Sequence, residues 1–73
     1  MARDLQALKK KIGSRIRDRR NDLQISQEDL AFKAEVTPTY LSQIESGNRN
    51  PSLEVLFRLC AALQIELSDL VRA

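Results

Sequence analysis

Residues 26–45, SQEDLAFKAEVTPTYLSQIE, constrain what this chain can fold into more than any other stretch. Apolar or small side chains recur at Leu30, Ala31, Ala34, Val36, Leu41 and Ile44, with polar ones between them. That spacing predicts two short helices packed across a tight turn, with the small Ala31 at their crossing. Both starts are marked in the sequence. Ser26 is a good N-cap with Asp29 three residues on, and Thr37 caps a helix whose first position is Pro38. The second helix turns Thr39, Ser42 and Gln43 away from Leu41 and Ile44, and Thr37 adds a hydroxyl at its head. Short polar side chains of this kind suit the edges of bases, so the unit has the form needed to lay one helix in a DNA groove.

The flanking sequence supplies helices to cover that unit. Leu5, Leu8, Ile12, Ile16 and Leu23 predict an amphipathic first helix over about residues 4–23, in which Gly13 marks a close approach of another backbone. The second motif helix is expected to run from Pro38 to Ser46 and stop at Gly47 in a left-handed cap. Asn50-Pro51-Ser52 then starts a fourth helix, with Leu53, Leu56, Phe57, Cys60, Ala61 and Leu63 expected on its core face. A short fifth helix, capped by Glu66 or Ser68, follows over 65–71. The fold class is therefore all-α, a single five-helix domain over residues 1–73. A chain of 73 residues has a small core, so its stability is marginal unless a second chain adds burial. Ile65, Leu67, Leu70 and Val71 sit on a helix too short to bury them all, and are expected to form the surface of an isologous dimer. Two-fold symmetry then calls for a palindromic site with half-site centres roughly 34 Å apart.

Charge is unevenly spread. Residues 1–20 hold Arg3, Lys9, Lys10, Lys11, Arg15, Arg17, Arg19 and Arg20 against Asp4 and Asp18, although the whole chain carries only +2. Such a run is either a solvated helix face or a phosphate-contacting one, and beside a groove-reading helix some of it is expected on phosphate, Arg17 in particular. The expected phosphate set also includes Ser26 and Gln27, beside the backbone N–H groups that open the second helix, and Ser46 at the end of the third. Gly47-Asn48-Arg49-Asn50-Pro51 reads by composition as a connecting turn rich in hydrogen-bonding groups. Tyr40 either packs its ring in the core or sends its hydroxyl to a phosphate or base.

The runs SQEDLA and TYLSQIESGNRNPSLEVL resemble the Cro/cI-type (XRE) helix-turn-helix family of DNA-binding regulators over roughly Ile12 to Val71. With RNPSL after the motif and so short a chain, they are most similar to the controller proteins of restriction-modification systems. The resemblance implies a compact lambda-repressor-like domain with the motif at helices 2 and 3. It implies that Gln27 touches a phosphate and steadies the recognition helix, and that the 47–51 loop lies on the sugar-phosphate backbone through Asn48, Arg49 and Asn50. It also implies a bridge from Glu45 to Arg20 that ties helix 3 to helix 1. One departure is Glu35, where the family often has Gly; a left-handed backbone there would strain a non-Gly residue by about 1 kcal/mol.

Several classes are excluded. No apolar run approaches the roughly 18 residues of a membrane span and no signal peptide opens the chain, so a cytoplasmic protein with no membrane partner is expected. The single cysteine, Cys60, allows no internal disulfide and is expected in the core; with no histidine, neither a metal site nor a cofactor is expected. No nucleophile stands beside a base, and there is no glycine-rich phosphate loop, so neither enzymatic activity nor a small-molecule ligand is expected. The expected partners are double-stranded DNA and a second copy of the chain. The expected role is a sequence-specific transcriptional regulator acting as a homodimer, a small autoregulatory repressor or activator of controller type. The alternative is an antitoxin-like interaction module of the same fold that also binds its own promoter.

Overall fold

The computed structural model describes residues 4–72, which form five helices and, among the described residues, no strand: α1 (Leu5–Asp22), α2 (Gln27–Ala34), α3 (Pro38–Glu45), α4 (Leu53–Leu63) and α5 (Leu67–Val71). The starts follow the sequence signals. Ser26 and Asp29 form a reciprocal capping box, the Ser26 hydroxyl accepting from the Asp29 N–H at 3.0 Å and the Asp29 carboxylate accepting from the Ser26 N–H at 3.3 Å. Thr37 caps α3 through the Tyr40 N–H, and Ser52 caps α4 through the Val55 N–H, each at 3.1 Å. At α5 the N-cap is Glu66, whose N–H donates to the Asp69 carboxylate at 2.9 Å.

Four helix ends or turns use left-handed backbone. Gly47 does so at φ 81°, as expected, and Glu35 does so at φ 61° without being glycine. The motif turn therefore carries the strain foreseen for it. Gln24 and Gln64 take the same conformation, which their sequence context did not announce.

Ile16, Leu30, Leu41, Ile44, Leu59, Leu63 and Leu70 are fully buried, with Ala31 and Ala34 between α2 and its neighbours. Burying one such Leu or Ile contributes about 1.5–3 kcal/mol, so the loss of any one is a large fraction of a small domain's stability. Two expectations about this core are corrected. Leu5 and Leu8 are 47% and 37% exposed, because the first turns of α1 run past the core that begins at Ile12. In α4 the inward residues are Val55, Leu59, Cys60 and Leu63, while Leu53 and Phe57 stand 70% and 72% exposed and Ala61 faces solvent. The helix is apolar on nearly every side, and its docked face is turned from the expected one. Leu56, Cys60 and Leu63 pack inward as expected, Val55 and Leu59 join them, and Leu53, Phe57 and Ala61 do not. Cys60, expected in the core, is there.

Candidate nucleic-acid interface

The α3 helix is held from behind by a buried polar junction. Glu45, at its last position, is only 4% exposed. Its carboxylate accepts from Arg20 Nε at 2.8 Å and Nη2 at 3.1 Å, and from Gln27 Nε2 at 2.9 Å; Arg20 Nη1 donates to the Ile25 carbonyl at 3.0 Å. A bidentate guanidinium and an amide thus offset the cost of burying the charge, and no buried side-chain nitrogen or oxygen among the described residues lacks a partner. Gly13 completes the junction. A Cβ there would lie 2.2 Å from the Ile44 carbonyl oxygen and 2.7 Å from that of Glu45, so the end of α3 rests directly on the backbone of α1. Gln6 and Lys10 continue the row, Gln6 Nε2 donating to the Gly47 carbonyl at 3.2 Å and the Lys10 side chain lying across Gly47.

The opposite face of α3 is open and polar. Thr37, Thr39 and Ser42 are exposed and Gln43 is half-buried, so the four expected base-reading residues share one accessible helix. The Thr37 hydroxyl oxygen is already engaged as the cap, which makes it a weaker reader than Thr39 or Ser42. Ser46 Oγ donates to the Gln43 carbonyl and accepts from Asn48 Nδ2, both at 3.1 Å, fixing the exit from α3. Asn48, Arg49 and Asn50 are exposed in the loop beyond. Of the two readings of Tyr40, the structure shows the packed ring, half-buried against the core, and Arg49 stacks on it.

The start of α2 is less open to an anion than its sequence implied. Gln27 turns its amide NH2 inward to Glu45, as a residue that steadies α3 would, and leaves its backbone N–H and side-chain oxygen for any outer contact. Ser26 is spent on the capping box, and Glu28 and Asp29 put two carboxylates into the first turn. The basic residues of α1 divide similarly. Arg19 Nε donates to the Leu63 carbonyl at 3.0 Å, Arg15 to the Arg72 carbonyl, and Arg20 is the Glu45 partner. The first two sit at the carbonyl ends of α4 and α5, where the helix dipole favours a cation. Arg17, in the same row of α1 as Lys10, Gly13 and Arg20, is exposed.

Elsewhere on the surface, Leu53, Phe57, Ile65 and Leu67 line an apolar groove between α4 and α5. Leu67 is 38% and Val71 43% exposed, and Ile65 is half-buried. Leu70, expected at the same surface, is 0% exposed and packed within the chain's own core, so it has no face to offer a second copy. Leu53 and Phe57, which had been placed in the core, supply the apolar surface instead. No cluster of His, Cys, Asp and Glu side chains suited to a metal occurs among the described residues, and none of their helices is long and apolar enough to cross a membrane.

Residues 16–70 match the family described as helix-turn-helix. An uncharacterized HTH-type transcriptional regulator of Mycobacterium tuberculosis is 43% identical over 62 residues, covering 84% of this chain but 44% of the regulator, so the chain spans less than half the length of that relative. The ImmF control region 10 kDa protein of Bacillus phage phi105 is 34% identical over 61 residues, covering 84% of this chain and 68% of the phage protein. Among solved structures, the restriction-modification controller protein C.AhdI from Aeromonas hydrophila superposes with a TM-score of 0.84 at 39% identity, over 88% of this chain and 97% of the controller.

Proposed function

Because this chain belongs to the XRE-type helix-turn-helix family, we propose that it is a non-enzymatic, sequence-specific DNA-binding regulator of transcription, of the controller or repressor kind. The observation that carries this reading is the contrast across α3: a buried Arg20–Glu45–Gln27 junction on one side and, on the other, a polar row of exposed Thr39 and Ser42 with half-buried Gln43. A rigidly seated helix with a polar outer face is what base readout needs, since the cost of ordering the backbone that carries the readers is already met in the free protein. Arg17, Asn48, Arg49, Asn50 and the N–H groups opening α2 supply phosphate contacts around it.

One such helix reads only a few base pairs, too few to single out a site in a genome. The working species is therefore a homodimer on a palindromic operator, joined through Leu53, Phe57, Ile65 and Leu67, which line one apolar groove, and the exposed Val71 of α5; Leu5, Leu8 and Phe32, also exposed, belong to α1 and α2. The names of the phage protein, a control-region protein, and of the restriction-modification controller favour a controlling role, and control of the chain's own promoter is part of this reading.

Selection of bound sequences from a random duplex library tests the reading. A palindromic consensus is expected, and Gln43→Ala is expected to relax one base pair per half-site by about 1–3 kcal/mol while leaving non-specific affinity alone. Recovery of no consensus would remove the regulator reading. An unchanged consensus in the variant would remove Gln43 from the readers.

A further inference from the structure

Tyr40 and Arg49 belong to different elements, the first turn of α3 and the loop beyond its end, yet the Arg49 guanidinium carbon stands 4.9 Å from the centroid of the Tyr40 ring. The ring is set by the fold, being half-buried against the core. Arg49 itself is exposed. The ion pairs among the described residues are Arg20–Glu45, Arg58–Glu54 and Arg72–Asp69, so no carboxylate competes for its charge. A guanidinium lying over a ring face keeps its N–H donors free at the edge while its long side chain loses the freedom it would have in solvent.

We propose that Tyr40 is a positioning residue for Arg49: its ring holds the guanidinium ready for a DNA phosphate, so that the grip of the loop and the seating of α3 act as one unit. This inference rests on the DNA-binding reading above. It differs from a direct Tyr40 contact, because the ring and not the hydroxyl carries the effect.

Two measurements test it, the first without DNA. In the free protein, nuclear magnetic resonance should show the Arg49 side-chain protons shifted upfield by the ring, unchanged in Tyr40→Phe and lost in Tyr40→Leu. On a selected duplex, Tyr40→Leu should weaken binding about two- to five-fold for all sequences alike, the range expected of an exposed cation–ring pair, and Tyr40→Phe should not. Arg49→Ala should weaken binding further and shallow the salt slope by about one unit, and in its background Tyr40→Leu should add nothing. Arg49→Lys, which touches no core residue, keeps the charge without the planar stack and should recover less than half of the loss. The inference is overturned by unshifted Arg49 protons, by additive losses in the double variant, by full recovery in Arg49→Lys, or by a Tyr40→Phe loss equal to that of Tyr40→Leu, which would assign the role to the hydroxyl. Those results leave DNA binding by the wild type standing. A wild type that binds no selected duplex removes the regulator reading itself, and this inference with it.

Discussion

The two ends of this small molecule are finished to different degrees. Where α1 meets α3, polar contacts are closed within one chain: Glu45 has three donors, Arg20 has three bonds, and backbone rests on Gly13 with no room for a methyl group. Where α4 meets α5, Leu53, Phe57, Leu67 and Val71 leave apolar surface that no other described residue covers. Closing the first junction fixes the aim of the recognition helix before any partner arrives. Leaving the second open keeps a surface for something to cover, and burial there would add to a core too small to be robust alone.

Concentration separates the two ends. Glu45→Ala strands the Arg20 guanidinium, which is 12% exposed, and is expected to cost about 3–5 kcal/mol. That loss should be the same in dilute and in concentrated protein, because the pair lies within one chain. Phe57→Lys, at a side chain already in solvent, is expected to change monomer stability by less than about 0.5 kcal/mol. If the proposed dimer forms, the same variant in concentrated protein should lack the stabilisation that pairing adds, and sedimentation should find it monomeric under conditions where the wild type is expected to be dimeric. Urea unfolding at two protein concentrations decides the matter. A concentration-dependent penalty for Glu45→Ala, or none for Phe57→Lys, would erase the distinction between the two ends.

The next effect in size is steric. Gly13→Ala puts a methyl group against two carbonyl oxygens of another helix, and α1 or α3 must shift to admit it. Despite the better helix propensity of alanine, a loss of about 1–3 kcal/mol is expected, with weaker operator binding because the end of α3 moves. A gain in melting temperature would mean that the junction yields more easily than its geometry implies.

How much of this was legible in the sequence follows the same division. Ser26, Asp29, Thr37, Pro38 and Gly47 act on their own near neighbours, and the structure uses each where the sequence put it. Gly13 was legible as a close approach because a glycine inside a helix needs a reason. The orientation of α4 was not legible: LEVLFRLCAAL is apolar nearly all round, and the rows through Leu53 and Phe57 and through Val55 and Leu59 are equally good core faces until α2 is present to choose. Leu70 failed similarly. A five-residue helix has too little periodicity to say which leucine points inward, and it follows a left-handed turn at Gln64 that nothing in the local sequence marked. The charge of α1 was legible only in part, because the use of Arg15 and Arg19 at the ends of α4 and α5 is a contact between residues distant in the chain.

The smallest expected effect comes from Cys60, which is 5% exposed and lines the apolar groove. Burial pushes its thiol above the ordinary range, and the carboxylates of Asp69 and Glu66 push the same way. A thiol whose folded value is raised contributes stability that is fully present below the unfolded value, about 8.5, and is lost as pH rises through the folded one. The unfolded chain ionises first, and the folded chain resists. Lysines and Tyr40 also titrate in alkali, so the wild type alone would not isolate the thiol; the difference between wild type and Cys60→Ala cancels their share. Whatever stability the thiol confers over alanine should therefore shrink once pH exceeds about 8.5, at low protein concentration, where each chain stands alone. Raising the concentration sharpens the comparison between the two ends. If a second copy covers the groove, Cys60 is desolvated further and the alkaline loss grows. If the loss is the same at both concentrations, whatever lies over Leu53 and Phe57 in the working protein stops short of Cys60.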